Sequence, residues 1–409
     1  MFNPMTIQQQ YRQTGGDDLK ILVVGAGIAG ISVAQMMRRN GRNAVLIERN
    51  TSGAHPGYML ALMPMVDPLL DNLGVHDHYR DRSTPLGRYG FHDHKGRLIR
   101  EDSMAAILDR FGDYRGIARG ELLEVLTSGG CNVSFDTTVT AMVDADGKDL
   151  VTLKSRDETL QLEFDLIIIA DGIHSATRQF LLGKEAIDVV DTQWGGWVVW
   201  APGDGRMDMG EELWGAGFFY GVYPVKGALG VFLGGNRKDT IMGPDAFVQK
   251  VRGRLTTIDA RTESCLQAVS GAKDPFFWSL SDCRCPQWSF GRTVLLGDAA
   301  AGFLPTAGIG AGMAMESAWV LARMLRYADP GNLPAVLDAY ETAQKPRVES
   351  AQDNSRALAR LMFRQSHLLA FLRDWAMRLV SVEMAIKPIQ KLVANKPDPD
   401  RLAQTALGE

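Results

Sequence analysis

The feature that most constrains this chain is a set of three glycines, Gly25, Gly27 and Gly30, between an apolar run and a helical one. Ile21 to Val24 reads Ile-Leu-Val-Val, the composition of a strand buried on both faces. Residues 31–39 carry a helical pattern that Asn40-Gly41 stops. Asn43 to Ile47 is a second strand, ending at Glu48. Gly-x-Gly-x-x-Gly in this strand–turn–helix–strand setting is a dinucleotide fingerprint. The first glycine permits a tight turn, the second lets the backbone approach a pyrophosphate, and the third lets helix and strand pack closely. The helix N-terminus then offers free amides and a positive dipole end to the phosphates. Glu48 is placed to accept a hydrogen bond from a ribose hydroxyl and to repel a 2′-phosphate, so NADP is not expected at this site.

Two later segments narrow the dinucleotide to FAD. Phe164 to Ile169 reads as another buried parallel strand and delivers Ala170-Asp171-Gly172. Thr293 to Leu296 returns to the same style and delivers Gly297-Asp298. Three motifs in this order imply a flavin end held by a distant segment. Asp298 can accept a hydrogen bond from a ribityl hydroxyl; the alternative is a helix cap for the Ala-rich segment after it. Gly308-Ile309-Gly310-Ala311 leads into a helix whose amides would face the flavin N1 and C2 oxygen, where reduced flavin carries negative charge.

A chain of 409 residues exceeds one core. We expect an α/β protein: a Rossmann-like FAD-binding domain (20–85, 101–187 and 286–350), an inserted antiparallel β-sheet substrate domain (86–100 and 188–285) and C-terminal helices (351–409). Residues 1–19, rich in glutamine, read as a loose arm. A Gly/His/Pro loop is expected over 51–58, a helix over 60–73 closing at Gly74, and a hairpin over 89–100 turning at Lys95-Gly96. A net charge of −4 gives no hint of nucleic-acid binding. The four cysteines suggest a reducing, cytoplasmic setting. No stretch reaches the roughly 18 apolar residues of a membrane span, and the polar N-terminus lacks a signal-peptide core.

The aromatic residues between 194 and 223 imply a sheet over the flavin. Trp200, Tyr220 and Tyr223 are its pocket candidates, with plain core packing the alternative for each. His92 and His94 share a strand face, as would His76 and His78 if extended, but no metal is expected. Residues 356–391 are amphipathic and basic. Their apolar face (Leu361, Phe363, Leu368, Leu369, Phe371 and Leu372) is expected to pack on the FAD domain or a second subunit, with a membrane surface as the alternative.

With these residues in place, the chain resembles the single-component (class A) flavoprotein monooxygenases, the family of p-hydroxybenzoate hydroxylase, from about residue 20 to about 350. Ile117-Ala118-Arg119 with Leu122 resembles the segment whose arginine contacts FAD. Ala170-Asp171-Gly172 with Ser175 and Arg178 is similar to the family's Asp-Gly motif. Gly291 to Asp298 with Pro305, Gly308 and Gly310 looks like its Gly-Asp motif and flavin loop, and Tyr223-Pro224-Val225 like a tripeptide of its substrate sheet. The resemblance implies a GR2-type FAD fold with FAD held by Gly25, Gly27, Ala29, Gly30, Glu48, Arg49, Arg119, Val139, Asp171, Asp298, Gly308, Gly310 and Ala311. Pro305 joins the pocket candidates. It also implies NADPH or NADH as hydride donor, O2 as oxidant, and hydroxylation of an aromatic or polycyclic substrate, as in secondary metabolism, through a flavin C4a-hydroperoxide, in a monomer or homodimer. No protein nucleophile is required. Ala301, Ile309 and Ser317 stand where the family usually has His, Gln and an acid. A halogenase, a reductase or a non-catalytic FAD protein on this scaffold are the alternatives, although the halogenase Trp-x-Trp-x-Ile-Pro pattern is absent.

Overall fold

The computed structural model describes residues 1–409 except 52–56, 146, 157, 380–381 and 409; most of the loop expected over 51–58 therefore lies outside the described residues. Four strands run parallel in the order Thr293–Leu295, Leu166–Ile169, Ile21–Val24, Ala44–Ile47, with Ser289–Phe290 antiparallel at one edge. Every residue of the first three is buried, as strands without a polar face must be. Val24 lies opposite both Ile169 and Ile47, and Ile169 opposite Leu295. This register brings the carboxyl ends of all four strands level. The residues that follow them, Gly25, Glu48, Asp171 and Asp298, thus converge on one edge, where such sheets bind ligands.

Two of the fingerprint glycines are required by close approach. Gly25 has φ 101°, and a Cβ on Gly30 would sit 1.9 Å from the Gly25 carbonyl oxygen. The helix Ile28–Arg39 can press onto its strand only without that carbon.

A second, eight-stranded sheet has the order 301–302, 276–284, 188–202, 228–236, 218–225, 209–214, 88–92, 98–103. The expected hairpin forms its last two strands, with Gly96 at φ 89°. One face, bearing Phe218, Tyr220 and Val222, is covered by the helices Pro244–Arg252 and Ala260–Ser270. These helices lie inside the span that reads as sheet in the sequence. The other face bears Trp194, Trp214, Phe219 and Phe232. Ala301–Gly302 adds to the sheet's edge beside Arg284 and Cys283, so the segment after Asp298 ties the two sheets together.

Three expectations need correction. Residues 1–19 are not a loose arm: Phe2–Pro4 pairs with Cys131–Val133, and the helix Ile7–Gln13 begins with a Thr6/Gln9 capping box. Gln10 is buried, donating to the carbonyls' edge at Leu46 O (3.1 Å) and accepting from Leu46 N (3.0 Å), so a glutamine that reads as solvated completes a sheet edge. Residues 60–73 are not one helix. Met59–Leu62 is a strand paired with Arg115–Ala118, and the helix Asp67–Leu73 follows a single turn at Pro64–Val66. Pro64 keeps Met63 extended and breaks the run, whereas Gly74 closes the helix at φ 70° as expected. Finally, no boundary falls at 350/351, because Leu333–Met362 is one continuous helix.

Candidate active site

Between the two sheets lies a cavity of about 730 Å³. At its nucleotide end, the fingerprint turn is held by two bonds: Gly25 N donates to Ile47 O (2.8 Å) and Ala26 N to Glu48 Oε2 (2.9 Å). Asn50 donates to Glu48 Oε1 from its backbone and side chain (3.0 and 2.8 Å). Glu48 is thereby fixed at the tip of its strand. Gly27 begins the helix with no side-chain cap, and nothing lies within 4 Å of where its Cβ would be. Amides at such an end need partners from outside the helix.

Asp171 Oδ2 accepts from Thr177 N at 3.2 Å, but its Oδ1 is buried and has no partner among the described residues. Asp298 is exposed to the cavity, and the protein packed around the cavity mouth pushes its carboxyl up to about 6. Arg178 joins the two acidic segments: it donates to Ala299 O (2.6 Å) and Ile173 O (2.9 Å) and is itself buried. A second uncapped helix, Gly310–Met324, starts on the cavity after Gly308, which has φ 62° and open space beside it. Two bare helix N-termini, an orphaned carboxylate oxygen and open glycine cradles suit a long dinucleotide with a pyrophosphate and polyhydroxyl chain, and these residues fit FAD. Arg119 reaches the cavity beside Tyr58, whose ring tilts 33° against Trp278 at 4.7 Å.

Most of the expected FAD residues meet here: Gly25, Gly27, Ala29, Glu48, Arg49, Arg119, Asp171, Asp298, Gly308, Gly310 and Ala311 all line the cavity. Gly30 contributes packing instead. Val139 is a correction: it is buried in the strand Thr138–Ala145, and the preceding Thr137 and Thr138 reach the cavity. Of the pocket candidates, Tyr223 and Pro305 line the cavity. Tyr220 does not, because a residue three positions from Tyr223 on one strand points to the opposite face, where it packs under the helices. Trp200 stands beyond the cavity with 36% of its surface exposed. Ala301, Ile309 and Ser317, the departures from the family pattern, are buried in the interior and not on the cavity wall. His76 and His78 lie on a helix, and among the described residues no three His, Cys, Asp or Glu side chains form a metal site.

The far end of the cavity is apolar except for one cluster that sequence reading missed. Glu212 is buried and accepts from Trp214 Nε1 (2.7 Å) and from the Tyr223 hydroxyl, with Tyr89 close by on the neighbouring strand. Burial raises its carboxyl above the ordinary range, against the pull of Tyr223, Tyr89 and Trp214. Burial likewise raises Tyr89, Tyr223 and Tyr114. An acid inside an aromatic strand, Glu-Leu-Trp at 212–214, was the available signal. The C-terminal segment also contributes walls: Leu358 and Met362 on one helix, Phe363 just past its end, Ile386 and Ile389 further on.

This chain matches the family model described as "FAD binding domain" over residues 18–207 and 235–355, and it belongs to that family. A flavin-dependent monooxygenase of an unknown prokaryotic organism is 26% identical, over 82% of this chain and 87% of that one. The 3-amino-4-hydroxybenzoate 2-monooxygenase PtnB3 of Streptomyces platensis is 29% identical over the same shares. The crystal structure of Klebsiella pneumoniae HpxO with FAD and uric acid superposes with a TM-score of 0.82 at 22% identity, covering 94% of this chain and 98% of that one. The protein is an FAD-dependent monooxygenase.

Proposed function

We propose that this enzyme uses NAD(P)H and O2 to hydroxylate an aromatic small molecule that carries a hydroxyl or ring N–H. The observation that carries the reading is the Glu212 cluster in an otherwise apolar, aromatic-walled cavity. A carboxylate has about four acceptor sites, and two are taken by Tyr223 and Trp214, with Tyr89 on the neighbouring strand. Acceptor capacity therefore remains for a substrate donor, while Trp214, Phe219 and Phe232 supply flat apolar walls. An aromatic ring with one polar edge satisfies both. FAD, held by the residues named above, would when bound supply the redox chemistry that takes the electrons of NAD(P)H and splits O2, one oxygen atom going to an electron-rich ring and the other leaving as water. The protein's part is to orient that ring through Glu212 and to keep water out. The hydroxylated aromatic acid named for the Streptomyces relative and the uric acid named for the structural neighbour support this substrate class.

The test is anaerobic bleaching of the bound flavin by NADH or NADPH, with and without phenolic and quinolone-like compounds. Bleaching faster with one compound is expected. Glu212→Gln should raise that compound's KM by about 10–100-fold, the cost of one hydrogen bond to a charged group, with bound flavin retained. A flavin that stays oxidised with both nucleotides and every compound overturns the reading.

A further inference from the structure

Surface helices ordinarily turn their apolar stripe toward the protein. The helix His367–Met377 does the opposite. Its inward face carries Ala370, Arg373 and Asp374, all buried. Asp374 Oδ2 accepts from the backbone N of His94 (2.8 Å) and lies 2.6 Å from that ring's Nδ1, and Oδ1 accepts from Arg373 Nε (3.0 Å). Arg373 also donates to the Trp214 carbonyl. The helix is thus clasped to the substrate sheet by polar groups. Its outward stripe, at spacings of three and four, is Leu368, Phe371, Leu372 and Trp375, continued by Leu379; these are 51–67% exposed. A contiguous patch of five large apolar side chains exceeds the scattered exposure normal for a surface.

The surroundings indicate what covers it. Arg364 and Arg378 flank the helix, and Lys387 and Lys391 are exposed on the later helix Lys387–Ala394. Among the described residues none of the four forms an ion pair, whereas Arg356 and Arg373 do. Glu383 is the only exposed acid between residues 360 and 394 among those described. An apolar stripe framed by unpaired cations is the signature of an interfacial helix on anionic lipid. A second copy is the poorer occupant, because a two-fold interface would set these cations against themselves. The segments on either side of this helix wall the cavity through Met362, Phe363 and Ile386.

We propose that the helix His367–Met377 seats in the headgroup region of an anionic bilayer and so presents the cavity to a substrate dissolved in the membrane. The docking stands on the helix itself; only the delivery of substrate rests on the hydroxylation reading.

The test is flotation of the FAD-loaded enzyme with phosphatidylcholine vesicles, with and without phosphatidylglycerol, alongside light scattering. We expect it to float with the anionic vesicles and to partition at least about tenfold more weakly onto the neutral ones. The double variant Leu372→Glu, Trp375→Glu should stay behind while keeping its flavin absorbance. Flotation requires no turnover, so an enzyme that floats yet fails to bleach with NAD(P)H refutes the hydroxylation reading alone. A wild-type enzyme that stays behind with both vesicle types overturns the proposal, as does a variant that floats equally well. So does a lipid-indifferent dimer that the variant converts to monomer.

Discussion

At the scale of single residues, the nucleotide end depends on a few backbone positions and two carboxylates. Asp298 carries the clearest pH signature. The surrounding protein pushes its carboxyl up to about 6, and accepting a ribityl hydroxyl favours the charged form. FAD affinity should therefore fall as pH drops below about 6, by up to about tenfold per unit. For folding alone the sign is opposite. The flavin-free folded chain holds this proton more tightly than the unfolded chain at 3.8, so this group's contribution to stability declines as pH rises from 3.8 to about 6. Flavin-fluorescence titrations across this range check the binding claim; an Asp298→Asn variant with the wild-type slope refutes it. Asp298→Ala should weaken FAD retention by about 1.5–3 kcal/mol, and unchanged affinity would remove Asp298 from the site. These residues were legible in sequence because each follows a short apolar strand directly, and chain continuity then places it at the strand's end. Glu212 was not legible, since its partners Tyr89 and Tyr223 are joined to it only across strands.

At the scale of elements, strand parity separates function from packing. Tyr220 and Tyr223 share the strand Phe218–Val225 but face opposite sides. Tyr223→Phe should alter the substrate's effect on NAD(P)H oxidation, while Tyr220→Phe leaves it unchanged; equal effects of the two would contradict the assignment of faces. Alternation puts residues three apart on opposite faces, so of these two pocket candidates only one could line the cavity. Which parity meets the cavity was settled by the helices Pro244–Arg252 and Ala260–Ser270, whose position no strand pattern announces. Arg178 is the corresponding link between motifs. Replacing it with Met leaves the carbonyls of Ala299 and Ile173 without this donor, at about 1–3 kcal/mol each. Thermal unfolding followed by flavin release should shift to lower temperature, and an unshifted transition would show that the link is dispensable.

At the scale of the whole molecule, the C-terminal segment closes the site and holds itself there by a polar clasp. Asp374→Asn should leave Arg373 buried with its charge uncompensated, costing about 3–5 kcal/mol. Limited trypsin digestion should then cut sooner around Arg364 and Arg378; identical digestion of variant and wild type would dismiss the clasp. In the sequence this segment read as an amphipathic face seeking cover on the FAD domain or a second subunit. Phe363 does find cover, stacked on Trp194 of the substrate sheet at 4.4 Å, but Leu368, Phe371 and Leu372 remain outside. Periodicity says that a stripe exists and not which way it turns. The sequence by itself determined the FAD domain, because strand, turn and phosphate-facing helix are consecutive and their chemistry is local. Only the tertiary structure decided the substrate end: its polar cluster, its walls and its outward helix are built from segments more than a hundred residues apart, brought together by sheet register and packing.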